Sequence, residues 1–547
     1  MTFVHEVKRI IALYSPTELR NIATYILGIM LYKFGLELFN GSVVSMATDR
    51  FTAAHTFGKL AILTGLNTAM QCVGAILIAP LVKKLPTRTI LASAILIFAI
   101  MSALLLIVDG ATGGRIKSTT PNKQVKYGDW NPNGLFPIYI VAGIAYGMVE
   151  LIRRVIPRDI VGPHPEKLRR MDALVHILYE VSGTAGAFAC SMLIGKFGNN
   201  YSFMMTPIFY ILAGIVWFQI SALSFKSGNS QGADTSLLAR VNRAERHPLI
   251  TYCLGVIEGF RLFLLSILKG CQLVFCHRKY VWLFFSYSVA LHCHRYLENI
   301  IAPIYARRIL NNSGLAQVFV AFSNLGELHG ALFVFLFARN VKTPIPWLRL
   351  DALLLMIIWV VPFYERGLRT TIVAYRLGAC FIPISFGWAA GDVSLSAYIQ
   401  LSLTHSDEEQ DDSKISSLGS IMAFLYSSYI IIYAVVSKFL GDYVDRVVVR
   451  GGSVHDALIL VGGIHFSAFA FVIFVSTFVP RGAFALNPEV IYMSERSGSS
   501  TNEVGQVSEI HARHDNGVSE DITPSRIHDR TRSRVPPTVL DGHPGTL

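Results

Sequence analysis

The chain has 547 residues, of which 52% are hydrophobic and only 15% charged, against a charged share of about 25% in ordinary soluble domains. A mean hydropathy of +0.47 over the whole length requires the apolar residues to lie in long blocks, as a bilayer demands, and this excludes a soluble enzyme. The formal net charge of +12, from 48 Lys and Arg against 36 Asp and Glu, fits basic cytosolic loops beside anionic lipid better than a nucleic-acid partner.

The N-terminal residues, MTFVHEVKRIIALYSPTELR, lack the basic start, apolar core and small-residue cleavage site of a secretory signal. Residues 1–21 are therefore read as a cytosolic N-terminus, and the first span does the targeting. Apolar runs of about 20 residues, enough to cross a hydrocarbon core of about 30 Å, then recur at 22–46, 58–82, 88–108, 135–156, 173–196 and 202–224. Six more lie at 280–306, 314–338, 346–364, 370–402, 418–440 and 456–480. The expected fold is an all-α polytopic membrane protein of about twelve transmembrane helices in two pseudo-symmetric bundles, 22–224 and 280–480. Between them, 225–279 reads as a cytosolic linker. Its segment from Pro248 to Cys276 carries Glu258, Arg261 and Lys269 among Leu, Ile and Phe, the pattern of an amphipathic helix lying on the membrane.

The starts of the first three spans in each half, at 22, 58 and 88 and at 280, 314 and 346, are offset by about 257 residues, which points to an internal repeat. Gly74-Ala75 before Lys83 and Gly330-Ala331 before Arg339 keep the same spacing. With the N-terminus in the cytosol, the loops after spans two, four, six and eight carry clusters of Lys and Arg, as the positive-inside rule expects. Glycosylation sequons at Asn40, Asn200 and Asn311 fall on the opposite side. Two loops run against this pattern, the acidic THSDEEQDDSK after span ten and the basic GDYVDRVVVRGG after span eleven. From Arg481 to Leu547 the chain is rich in Ser, Arg, Asp, His and Pro without apolar period, and reads as a disordered cytosolic tail. The seven cysteines form no CxxC pair. The grouping of Cys271, Cys276 and His277 reads as part of an interfacial helix, so no metal site and no cofactor are expected.

Two six-helix halves, a long linker and basic loops after spans two and eight resemble the major facilitator superfamily of secondary transporters, over roughly residues 20–480. The texture is similar to fungal members of uncertain substrate. The superfamily's loop signature, Gly-x-x-x-Asp-Arg-x-Gly-Arg-Lys, falls on Ala79 to Arg88. Lys83 then stands at the Asp, Lys84 at the first basic position, Pro86 at the second glycine and Arg88 at the last basic position. The resemblance implies that the motif's Asp helps latch the cytosolic side closed, a role Lys83 does not reproduce. Lys83, Lys84 and Arg88 are cytosolic gate candidates on this basis. A cleaner partial copy, Gly441-Asp-Tyr-Val-Asp445-Arg446, follows span eleven, where the family does not usually place it.

A charge at the bilayer centre costs about 2.5–3.5 kcal/mol or more, so it faces the bundle interior, a partner or water. Span one holds Lys33 and Glu37 at i and i+4, and span seven holds Arg295 and Glu298 at i and i+3, beside His292 and His294. Each pair reads equally as a neutralising salt bridge. Repeat equivalence would set the two pairs facing each other across a central cavity. Span five carries His176 and Glu180 on one face, followed by Gly183 and Gly186, a spacing suited to close helix packing or to a pivot. A histidine and a carboxylate at this depth can trade a proton near neutral pH. Glu327 and His329 in span eight and Arg376 and Asp392 in span ten complete the set, with Arg376 near an end. Glu150, Arg153 and Arg154 close span four and read as gate salt bridges and snorkelling arginines.

The substrate and proton pathway candidates are thus Lys33, Glu37, His176, Glu180, His292, His294, Arg295, Glu298, Glu327 and Asp392. They point to a secondary transporter that moves a small polar or charged organic solute by alternating access, with protons as coupling ion and the plasma membrane as expected location. An internal organelle membrane is the alternative. Its partners are the bilayer, the solute and protons, with a monomer as default. A passive facilitator, a non-transporting membrane sensor and a polytopic transferase are the competing readings. The transferase lacks support in sequence, since no Asp-rich diphosphate motif, HExxH, GxSxG or P-loop is present.

Overall fold

The computed structural model describes residues 14–82, 85–115, 127–162, 165–220, 248–337, 341, 343–364, 370–408 and 417–488. The first half contains α1 (Pro16–Arg50), α2 (Thr56–Val82), α3 (Thr87–Ala111), α4 (Leu135–Val161), α5 (Pro165–Phe197) and α6 (Asn199–Phe218). α7 (Pro248–Cys276) joins the halves. The second half contains α8 (278–309), α9 (Ala316–Phe337), α10 (345–363), α11 (370–408, irregular at Cys380), α12 (Ser417–Val449) and α13 (454–476). The chain is an all-α polytopic membrane protein with a helix at each of the twelve expected spans.

Local chemistry explains the helix ends. Ser15 caps α1 through a reciprocal box in which its hydroxyl accepts from the Glu18 amide and its own amide donates to Glu18, with Pro16 at the first helical position. Glu18 also meets Lys167 of α5 at 2.9 Å. Along α1, Tyr25, Ile29, Tyr32, Leu36, Phe39 and Val43 alternate by four and three residues and are all buried, so one stripe faces the bundle. Gly28 makes room for the Trp217 ring of α6, whose indole N–H donates to the Tyr25 carbonyl at 3.1 Å.

α8 departs from regular helix at three places, 284–289, 297–301 and 305–309, all π-helical. Wide turns of this kind free carbonyls and re-aim side chains, and they are frequent at functional sites. The halves meet along α5 with α9 and α2 with α12. α2 and α12 run antiparallel, because Phe57 lies beside Asp445 and Thr64 beside Tyr433.

By length and hydropathy α7 could itself cross a membrane. Its neighbours place it otherwise. Tyr252 donates to the Leu77 carbonyl at 3.1 Å, and Gly255 and Gly259 lie against Pro80 and Ile76, all in the last turns of α2. Toward its other end, Gly270 lies against Ser420, and the Phe275 ring packs on Phe424 of α12 and Phe284 of α8. These ends of α2 and α12 lie on one side of the molecule, so α7 runs across that side rather than through the bundle. Leu254, Ile257, Leu264, Leu265 and Leu268 point outward, as an interfacial helix requires.

Several expectations need correction. The six residues GDYVDR do not follow a span but form the last turns of α12. Residues 481–488, expected in the tail, turn back onto Arg349, whose guanidinium donates to the carbonyls of Ala483 and Ala485, while Thr343 donates to Pro488. Asn40 accepts from the Tyr139 hydroxyl at 3.0 Å and buried Asn200 donates to Asp109 at 2.6 Å, so neither sequon faces an oligosaccharide. Asp109 also accepts from the Gly128 amide and the Trp130 indole, both at 2.8 Å, and so ties down the loop after α3. The rest of the expected tail and most of the linker before α7 lie outside the described residues.

With α7 in the interfacial plane, the twelve other helices form an even number of crossings. Epitope tags at the N- and C-termini should then be reached by antibody from the same side of the membrane in selectively permeabilised cells. Tags on opposite sides would show that α7 crosses.

Candidate functional site

A cavity of about 220 Å³ lies between the halves, walled by α1 to α5 from the first and by α8, α9 and α12 from the second. Six of the expected pathway residues line it: Lys33, Glu37, Glu180, Arg295, Glu298 and Glu327. Lys33 and Glu37 form an ion pair of 2.7 Å within α1, and Arg295 and Glu298 form one of 2.7 Å within α8. The second oxygen of Glu298 accepts from Ser323 of α9 at 2.6 Å, and Ser323 is 2.7 Å from Ser385 of α11. Glu180 is 4% exposed, and its Oε2 has no hydrogen-bond partner. Glu327 sits in the electrostatic field of Glu180, Glu298, Arg295 and Lys33.

The remaining pathway candidates are elsewhere. His292 points to α13, with its Nε2 3.1 Å from Nε2 of His465. His294 pairs with Asp351 of α10 at 3.0 Å. Both belong to the packing of the second half and do not line the cavity, contrary to expectation. Three residues apart in an α-turn, side chains diverge by about 60°. The short imidazole of His292 therefore stays with α13, while the longer guanidinium of Arg295 reaches the cavity. His176 is not a lining residue; its electrostatic neighbours are Asp392 of α11, Arg153 and Lys33.

The gate candidates bind within their own half. Arg153 pairs with Glu150 at 2.6 Å and lies 4.5 Å from the centroid of the Tyr179 ring. Lys33 lies 4.6 Å from the same ring, so Tyr179 stands between two cations. Arg88 lies over the Phe218 ring at 5.0 Å. Lys83, Lys84 and the side chain of Arg154 lie outside the described residues.

Uncharged polar residues missed in sequence complete the walls. Thr64, Asn67, Thr68 and Gln71 make a stripe on α2, Asn40 follows Glu37 by three residues, and Gln317 and Asn324 precede Glu327 by ten and three. Their helical spacing from one another and from the charges was the available signal. Asn67 donates to the Tyr139 carbonyl at 2.8 Å and Gln71 to Asn67 at 3.1 Å. Tyr139, Tyr146, Tyr179, Tyr426 and Tyr429 add ring faces. Among the described residues, no group of three His, Cys, Asp or Glu side chains is placed to hold a metal.

The end of the cavity away from α7 is crossed by contacts between the halves. Asp445 of α12, 1% exposed, accepts from the Phe57 amide at 3.0 Å and from the Gly58 amide at 2.9 Å. It thereby caps the N-terminus of α2. Gly441, one turn earlier, lets the Phe57 carbonyl come close. Asp49 at the end of α1 pairs with Arg307 of α8 at 3.2 Å and accepts from Ser313 at 3.0 Å, while Ser45 and Ser313 are 2.7 Å apart.

No protein-family model matches the sequence, and no curated protein does. The fold is similar to that of solved transporters. The nucleoside transporter NupG aligns at 11% identity over 84% of this chain and 99% of that one, with a TM-score of 0.53. A proton dependent oligopeptide transporter aligns at 14% identity over 86% and 98%, also at 0.53. The peptide transporter POT in complex with sulfate aligns at 12% over 84% and 93%, at 0.54. The chain has the general fold of the major facilitator superfamily.

Gly183 and Gly186 of α5 set its distance from α1. A methyl group on Gly186 would lie 3.1 Å from the Phe34 carbonyl oxygen, whereas one on Gly183 would meet the flexible end of Lys33. Backbone cannot step aside as a lysine chain can, and overpacking typically costs about 1–3 kcal/mol. Gly186→Ala should therefore lower the midpoint of thermal unfolding in detergent more than Gly183→Ala. Equal losses would mean that α1 and α5 have slack at this crossing.

Proposed function

We propose that this protein is a secondary transporter that carries a small polar or charged organic solute across its membrane by alternating access. The supporting observation is the charged cavity shared by both halves and bounded at one end by contacts between them. A polar void at membrane depth is costly unless water or solute enters it. Protons are the coupling ion that fits, because the walls offer carboxylates and His176 lies nearby. Purified protein in liposomes should accumulate its solute when an inward proton gradient is imposed and lose that accumulation when an ionophore collapses the gradient. Uptake that only equilibrates, with or without the gradient, identifies a passive facilitator.

In this reading the contacts around Asp445 hold the present state. A carboxylate at a helix N-terminus gains from the dipole and from the free amides, together about 1–2 kcal/mol. Gly441-x-x-x-Asp445-Arg446 repeats the superfamily's latch signature, and its Asp caps a helix of the other half at the end opposite the usual one. Asp445→Asn keeps the size and removes the charge. Val320, which lines the cavity, reports on opening: in a background without native cysteines, Val320→Cys should react with an impermeant maleimide from the Asp445 side about tenfold faster once Asp445→Asn is added. An unchanged rate would leave Asp445 a packing residue only.

A further inference from the structure

The charges of the cavity do not balance. Its two bases are each committed to a carboxylate on their own helix, Lys33 to Glu37 and Arg295 to Glu298. Glu180 from the first half and Glu327 from the second are left over. Neither forms an ion pair among the described residues; Glu180 lies in the fields of Lys33, Glu37, Arg295 and Glu298, and Glu327 in those of Glu180, Glu298, Arg295 and Lys33. With all six groups ionised, the walls hold two more negative charges than positive ones. A carboxylate taken out of water is tolerated only with a cation, a proton or several donors within reach.

Three further features face the same space. Nδ2 of Asn324 and Oε1 of Gln317 are buried without hydrogen-bond partners, on residues only 5% and 4% exposed. Tyr146, Tyr179, Tyr426 and Tyr429 present ring faces, and the double stacking of Lys33 and Arg153 on Tyr179 shows that such a face accepts cations here. The volume, about 220 Å³, equals on the order of seven waters, room for a compact organic molecule.

We infer that Glu180 and Glu327 bind the positively charged nitrogen of the transported solute, and that the substrates are small organic cations, amines or amidines, with an apolar or aromatic body against the tyrosines. Gln317 supplies an acceptor for a further N–H of the solute. The inference rests on the transport reading and adds to it a mechanical consequence. The two carboxylates belong to opposite halves and repel one another, so a cation between them removes the repulsion and joins α5 to α9. An empty site favours parting of the halves at this level, and a filled one favours their approach.

The test is binding to the full-length protein in lipid nanodiscs, read by thermal unfolding and by displacement. The probes are phenethylamine, hexylamine and agmatine, each against its alcohol isostere and, for the first two, the carboxylate isostere. At least one amine should stabilise the protein where its alcohol and acid do not. Glu180→Gln and Glu327→Gln should each raise the required concentration about tenfold or more, as expected for the loss of a charged partner. Glu258→Gln, on the outer face of α7, should not change it. If Glu180→Gln does not accumulate in the membrane, Glu327→Gln, only partly buried, carries the comparison. Alcohols or acids binding as well as amines, amine binding retained in both variants, or no amine binding at all each overturns the inference. Gradient-driven flux of a neutral or anionic solute without amine binding would remove the cation site and keep the transporter. Amine binding without flux of any bound amine would do the reverse.

Discussion

Hydrocarbon solvates neither charge nor an open hydrogen bond, and this constraint orders the molecule. Every ionisable side chain placed within an apolar helix must find protein or water on one side of that helix. Lys33, Glu37, Glu180, Arg295, Glu298 and Glu327 do so by turning to one cavity. His294 and Asp351 do so by turning to each other. The inward direction of the charged faces then decides which stripes pack. α1 can bury Tyr25, Tyr32 and Phe39 because its charges leave the bundle core for the cavity. Gly183 and Gly186 bring α5 near enough for Lys33 to lie beside Tyr179 and Glu180.

How much of this could be read from sequence follows from the same constraint. A 20-residue apolar run is long enough to be unmistakable, so the twelve spans and their two groups of six were legible. A Lys, Arg or Glu inside such a run stands out by its cost, and six charged residues chosen on that ground share the cavity. Residues cheap to bury gave no comparable signal. Asn67, Gln71, Gln317 and Asn324 differ little in cost from a residue that merely bonds its own helix, and only their spacing relative to the charges marks them. His292 and His294 face away from the cavity for a different reason: they are close to Arg295 in sequence, but 60–100° around a helix axis leads to other neighbours, and the π-helical turns of α8 disturb the phase further.

The doubled latch signature shows what position adds to a motif. At the loop after α2 the acidic position is Lys83, so that loop offers no carboxylate for capping. The copy at Gly441–Arg446 keeps both functional elements, a glycine that permits close approach and an aspartate that caps. Its partner is α2, the helix that leads into the defective loop. α2 and α12 run antiparallel, so Asp445, near the C-terminal end of one, meets the N-terminus of the other.

α7 acts on the same two helices from the other side. Where Asp445 joins α12 to α2 directly, their far ends at Ser420 and Pro80 are linked through α7, which touches one with Gly270 and the other with Gly255. These two glycines are fifteen residues apart, about 22 Å along a helix axis, so α7 bridges a gap rather than closing it. Its outer side carries Leu254, Ile257, Leu264 and Leu268, all more than a third exposed. Burial of such side chains in lipid is worth about 1.5–3 kcal/mol each when complete, which favours covering this side of the bridge with an apolar phase. Any movement that brings the far ends of α2 and α12 together must shift α7 against one of them.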